Sequence, residues 1–286
     1  MKFYQNCGIL GLLQYIRGDG MNKFKGMLMC ADLDGTLLNS KGQISKENLE
    51  AIEYFKSEGG KFTFVTGRPP MIAGRMFDAV KPNAPIGCYN GGGVYDFHSK
   101  KFIWSVALPE SFKELVRFID EKMPDVGIQL NTTEQIYFNK DNPGMVRFRE
   151  LTGLPNIGGD YMTITEPVIK VVFAHLDGDR VDELTKMLNS HPKAHEFDFI
   201  RSEHMLYEIL PKGVSKGNLL LKIAEILGID PKNTVAVGDY NNDISMIKAA
   251  GIGYAVQNAV PEAKAVADRI TVSNDSHAIA AIINEL

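Results

Sequence analysis

The sequence predicts an α/β protein, a parallel sheet with helices on its faces, interrupted midway by a separate α+β module. Three observations predict it. Short apolar runs alternate with helical patterns near the start of the chain, as in a parallel sheet joined by crossover helices. The same alternation resumes near the end. Between them, short strand-like runs follow one another closely, as in an antiparallel sheet.

Residues 1–25 precede this pattern. Ile9-Leu10-Gly11-Leu12-Leu13 is apolar but short and broken by glycines, too little for a membrane span or a clear leader. The segment reads as an N-terminal extension of uncertain status, with Met21 and Met27 as alternative starts. The regular pattern opens at Met27–Ala31, a buried strand ending in Asp32. Ser45 offers a helix N-cap, Leu49, Ile52 and Phe55 recur at helical spacing, and Gly59-Gly60 stops the helix. Phe62–Val65 is the next strand, ending at Thr66-Gly67. Pro69-Pro70 suits the first turn of a helix reaching about Val80. Ile86–Tyr89 reads as a third strand of the same rhythm.

After Asn90-Gly91-Gly92-Gly93 the rhythm changes. A hairpin is expected over 94–104, a helix over 110–122, strands over 126–130 and 135–138, and a helix over 143–151. A strand over 168–175, a helix over 180–189 and strands over 197–200 and 205–210 follow. The first rhythm then resumes. It comprises helix 215–227, strand 234–237, helix 243–250, strand 252–256, and helices over 261–267 and 276–283. The expected organisation is therefore a core made of residues 26–91 and 203–286, with residues 92–202 as the inserted module.

Composition narrows the function. Hydrophobic residues are 44% and charged residues 23% of the 286, ordinary for a globular protein with a real core. A net charge of -4 supplies no global basic field for nucleic acid. Cys7, Cys30 and Cys88 have no paired spacing, which argues against a disulfide framework and for a reducing, cytoplasmic setting. No membrane partner is expected.

Four segments carry chemistry. Asp32-Leu33-Asp34-Gly35-Thr36 leaves the first strand, where open α/β sheets bind ligands. Carboxylates two apart there can divide the work of nucleophile and general acid/base, although Asp-Gly alone is also a common turn. Thr66-Gly67-Arg68 offers a hydroxyl and a free N–H for a phosphate oxygen, although taken alone it reads first as a plain strand-to-helix turn. Lys216 opens a helix, the end where the dipole favours anions rather than a cation, unless it is a solvated lysine. Gly238-Asp239-Tyr240-Asn241-Asn242-Asp243 is an oxygen-rich cluster suited to Mg²⁺, or an Asx-rich helix cap.

Taken in order, these four segments closely resemble the four motifs of the haloacid dehalogenase-like (HAD) superfamily, and most of all its Cof-type phosphatases, in which a large cap is inserted between the second and third motifs. The resemblance covers about Met27 to the C-terminus. It implies a Rossmann-like parallel-sheet core with an inserted α+β cap. It makes Asp32 the nucleophile that becomes an aspartyl-phosphate, and Asp34 the acid and base. Thr66, Gly67, Lys216, Asn242 and backbone N–H groups near Leu33 would bind the phosphoryl group. The Asp32 and Asp239 carboxylates and the Asp34 carbonyl would hold Mg²⁺, with Asp243 in support. The implied activity is hydrolysis of small-molecule phosphate monoesters, such as sugar phosphates or phosphorylated cofactors. A sugar phosphomutase with the same nucleophile and a phosphometabolite-binding regulator are the alternatives. Arg147, Arg149 and Tyr137 are cap candidates for contacting the rest of the substrate, and Asn90-Gly91-Gly92-Gly93 is a candidate hinge. Neither substrate identity nor oligomeric state is legible.

Overall fold

The structure is a computed structural model that describes residues 22–286, so most of the expected N-terminal extension, and Cys7, lie outside the described residues. Strand β1 (Leu28–Ala31) is buried along its whole length and opens a core of strictly alternating residues. Met29 and Ala31 face one cluster with Phe62, Phe64 and Val235, whereas Leu28 and Cys30 face another with Ala236. That period of two on a sheet buried on both sides explains the uninterrupted apolar run.

Helix α1 (Lys46–Ser57) begins where the Ser45 hydroxyl accepts the Asn48 N–H, and it buries Ile52 and Phe55. β2 (Lys61–Phe64), α2 (Pro70–Val80), β3 (Ile86–Cys88), β4 (Gly93–Asp96) and β5 (Lys101–Ser105) follow. Next come α3 (Phe112–Lys122), β6 (Gly127–Thr132), β7 (Ile136–Lys140), α4 (Pro143–Thr152), β8 (Val168–Ala174), α5 (Gly178–Ser190), β9 (Phe197–Glu203) and β10 (Leu206–Pro211). The chain ends with α6 (Lys216–Leu227), β11 (Thr234–Gly238), α7 (Ile244–Ala249), β12 (Ile252–Ala255), α8 (Pro261–Val266), β13 (Arg269–Ile270) and α9 (Ala278–Glu285).

The parallel sheet has the order β13-β12-β11-β1-β2. Helices α1 and α9 supply Ile52, Phe55, Ile279 and Ile282 to one face, and α6 supplies Leu219, Leu220 and Ile223 to the other. β1 lies between β2 and β11, and Asp32 and Asp239 follow the carboxyl ends of adjacent strands. Among the described residues no helix is long and apolar enough to cross a membrane.

A second sheet is antiparallel, ordered β7-β6-β8-β10-β9. Ile128, Leu130, Val171, Phe173 and Ile209 pack one face against α3 and α5. The alternate residues Gln129, Asn131, Lys170 and Glu208 are buried on the other face, and Lys170 Nζ lies 3.5 Å from the Gly67 carbonyl of the parallel-sheet unit.

Four details differ from the sequence reading. Ile86–Cys88 meets the parallel sheet at one point only: Val65 and Gly87 form a single parallel bridge beyond β2, and the strand otherwise pairs antiparallel with β4. The β4–β5 hairpin, expected in the module after residue 92, packs Val94 and Trp104 against α6 of the core. The antiparallel sheet ends at Pro211, so a limit at 202 falls inside the β9–β10 hairpin, whose pairing requires both strands. The short edge strand β13 has no apolar run and was not expected. The chain leaves the core past Val106 and returns past Lys212, and these residues line one small hollow beside Trp104.

Candidate active site

The loop after β1 is held by short-range bonds. Leu37 N–H donates to the Asp32 carbonyl at 3.2 Å and Leu38 N–H to the Leu33 carbonyl at 2.8 Å. Gly35 turns it at φ +80°, and a Cβ there would stand 2.5 Å from Asp239 Oδ2. Glycine is thus required twice, by conformation and by space. The Thr36 hydroxyl donates to Asp239 Oδ1 at 2.8 Å, tying the first loop to the fourth. Leu33 itself is a core side chain, so only its backbone can serve the site.

Below Asp32 lies Lys216, 1% exposed. Its ammonium donates to Asp32 Oδ1 at 2.5 Å and to Asp243 Oδ1 at 2.6 Å. The other Asp243 oxygen accepts the Asp239 and Tyr240 N–H groups, each at 3.0 Å. Asp243 therefore fixes both the lysine and the fourth loop, and its carboxylate oxygens are already engaged. Asp32, Asp239 and Asp243 each offer an oxygen within 4.8 Å of the others.

The electrostatics follow from this crowding. Burial first, then the charge of Asp243, push the Asp32 carboxyl up to about 8 despite the lysine. Burial is the main cause that raises Asp239 to about 6. Burial opposes the charge on Lys216, but Asp243 and Asp32 outweigh it and hold the ammonium above the ordinary lysine range. Three carboxylates facing one ammonium leave negative charge uncompensated in a low-dielectric site. A hard divalent cation with oxygen preference suits that donor set. Among the described residues, no backbone N–H outside helices and strands donates to the Asp34 carbonyl, which leaves that oxygen available.

Thr66 is buried, and its hydroxyl accepts the Arg68 N–H at 3.2 Å. Asn242 Nδ2 donates to Asn90 Oδ1 at 3.0 Å. Asp34 departs from the rest. Its side chain is 60% exposed and is clamped by the Arg68 guanidinium, Nε to Oδ2 at 2.9 Å and Nη2 to Oδ1 at 2.5 Å. The Asn90-Gly91-Gly92-Gly93 segment is a tight turn rather than an open hinge. Tyr89 and Asn90 both have positive φ, and a Cβ on Gly91 would meet the Ser215 N–H at 2.4 Å.

Asp32, Asp34, Thr66, Gly67, Asp239 and Asn242 all line one cavity of 730 Å³. Lys216 and Asp243 lie beneath it. The expected cap contacts do not reach it: Arg149 pairs with Asp141, the Tyr137 hydroxyl donates to Glu166, and Arg147 is not among the lining residues. Lys170, Arg201, Glu203 and Glu208 line it instead. Lys170 and Glu208 form a buried pair at 3.0 Å, the Ser202 hydroxyl also donates to Glu208, and Glu208 Oε2 is buried without a partner among the described residues. The signal for both was present, since each is a lone charge inside an apolar strand run.

The sequence model of the haloacid dehalogenase-like hydrolase family matches residues 29–283. The chain belongs to the haloacid dehalogenase-like hydrolases. This hydrolase is 30% identical over 273 residues to the stress response protein YhaX of Bacillus subtilis, covering 90% of this chain and 92% of that one. It is 28% identical over 287 residues to the 5-amino-6-(5-phospho-D-ribitylamino)uracil phosphatase YwtE of the same organism, covering 89% and 96%. A crystal structure of a haloacid dehalogenase-like hydrolase from Bacteroides thetaiotaomicron superimposes with a TM-score of 0.80 at 27% identity, covering 91% and 98%.

Proposed function

We propose that this HAD-type phosphatase hydrolyses small-molecule phosphate monoesters, sugar phosphates or phosphorylated cofactors, through an aspartyl-phosphate on Asp32. The observation that carries the reading is Asp32 itself: a buried carboxylate at a strand end, braced by Lys216, opening on a cavity that also holds Asp34 and Thr66. In the first step an Asp32 oxygen attacks phosphorus and the bond to the ester oxygen breaks. The leaving alkoxide takes a proton from Asp34. In the second step Asp34 takes a proton from water, whose oxygen attacks the same phosphorus. The Asp32–phosphorus bond breaks, returning the carboxylate and releasing inorganic phosphate.

Thr66, the Gly67 N–H, Asn242 and the backbone near Leu33 bind the phosphoryl oxygens. Lys216 orients Asp32 from below and offsets charge as it builds on those oxygens. Arg68 holds the Asp34 carboxylate at the cavity wall until substrate engages it. The Asp32 and Asp239 carboxylates and the Asp34 carbonyl would hold Mg²⁺, with Asp243 in support. When bound, the ion neutralises the carboxylates and the phosphoryl oxygens so that they can share one pocket. The antiparallel unit acts as a cap that excludes water and contacts the leaving group. YwtE, named for a phosphorylated ribitylamino-uracil, is a precedent for a relative acting on a phosphorylated small molecule.

The test is Asp32→Asn. Turnover of p-nitrophenyl phosphate with Mg²⁺ should fall to background while the far-UV spectrum stays that of the wild type. Retained turnover would remove Asp32 as nucleophile. Release of inorganic phosphate from hexose phosphates, rather than isomerised hexose phosphate, separates hydrolysis from a mutase.

A further inference from the structure

Large apolar side chains that stay exposed are ordinary when scattered. Here three of them come from separate parts of the chain and meet at one cavity. Met71 belongs to the first turn of α2, Leu151 to α4 of the antiparallel unit, and Tyr240 to the loop after β11. They are 51%, 71% and 54% exposed, and all line the cavity that contains Asp32. Ile72, Phe148 and Leu154 continue the same wall. The cavity volume of 730 Å³ far exceeds what a phosphoryl group needs and falls in the range of sites for drug-sized ligands. Nothing in the chemistry of phosphoryl transfer calls for this apolar surface. Each of the three side chains leaves apolar area in water that a bound molecule would cover. The Tyr240 backbone is held by its N–H bond to Asp243, so its ring projects from a fixed loop.

We infer that the preferred substrates are phosphate monoesters whose leaving group carries an apolar or aromatic end, docked on Met71, Leu151 and Tyr240, rather than uniformly polar sugar phosphates. The inference rests on the phosphatase reading above and narrows it. The polar face of Lys170, Glu208 and Ser202 lines the same cavity, so the leaving group meets a polar wall and an apolar wall together. Covering a methylene is worth roughly 0.8 kcal/mol, or about fourfold in affinity.

The test is a series of primary-alcohol monoesters, ethyl, butyl and 2-phenylethyl phosphate, assayed for phosphate release with Mg²⁺. Their leaving alcohols have similar basicity, so the chemical step is matched and only the buried surface changes. The expected result is a rise in kcat/KM of at least about tenfold from ethyl to 2-phenylethyl phosphate. Leu151→Asn and Met71→Asn, both at exposed positions that tolerate a polar side chain, should shrink that ratio at least about threefold. A flat series in the wild type overturns the inference alone. So does a Leu151→Asn variant that lowers all three esters by one factor, as a rim that only sealed the cap would do. Phosphate release from none of the three overturns this inference alone if p-nitrophenyl phosphate is still hydrolysed, and overturns the phosphatase reading with it if that ester is also left intact.

Discussion

At the scale of single residues, the site is governed by too many negative charges around one lysine. Asp32 and Asp243 share the Lys216 ammonium, and Asp239 stands beside them, its carboxylate accepting only from Thr36 among the described residues. Gly35 sets how close Asp239 can come. Gly35→Ala places a methyl 2.5 Å from Asp239 Oδ2, closer than contact allows, and forces a side chain into positive φ, at a strain of about 1 kcal/mol. The variant should fold, lose only a few degrees of melting temperature, and drop kcat/KM at least about tenfold through displacement of a charged group. A variant with full activity would mean that the Asp239 position is not critical. The acids and Thr66 were legible as candidates because they follow strand ends, and Lys216 because a cation opens a helix there. The clamp of Arg68 on Asp34 was not, because its geometry depends on two loops from different strands.

At the scale of elements, the antiparallel sheet has two unlike faces. One is apolar under α3 and α5. The other buries Lys170 and Glu208, whose side chains are 6% and 5% exposed. Removing one member strands the other: Glu208→Leu should cost about 3–5 kcal/mol in urea unfolding. The double change Lys170→Met with Glu208→Leu should recover most of that loss, since an apolar pair needs no desolvation. If the double variant were as unstable as the single one, packing rather than charge would explain the effect. The helices and most strands were readable from periodicity and caps such as Ser45 and Ser215. The pairing of β3 was not, because three residues of buried strand look alike in a parallel and an antiparallel sheet. The edge strand β13 was also silent, since an exposed two-residue strand has no hydrophobic pattern to show.

At the scale of the whole molecule, the acidic cluster links stability to pH and, on the proposed Mg²⁺ site, to metal. The folded-state values of Asp32, about 8, and Asp239, about 6, both exceed the ordinary 3.8. Groups raised in this way favour the folded state fully below their unfolded value. They lose that contribution as pH climbs through 6 and then 8. In EDTA the protein should therefore melt at a lower temperature at pH 9 than at pH 5. Saturating Mg²⁺ should narrow or reverse the difference, because the ion competes with protons for the same oxygens. Asp32→Asn should flatten the slope in EDTA. A melting temperature indifferent to both pH and Mg²⁺ would remove the cluster as a cation site, and unchanged phosphatase rates in EDTA would do the same for catalysis.

The outgoing chain at Val106 and the returning chain at Lys212 lie beside one another. For the gene, this makes the antiparallel unit a detour that ends where it began. The parallel-sheet unit closes its hydrophobic faces mainly with its own helices, Ile169 of β8 being the antiparallel unit's share of that core. The catalytic groups can stay fixed while a replaced or trimmed detour changes which alcohols reach them.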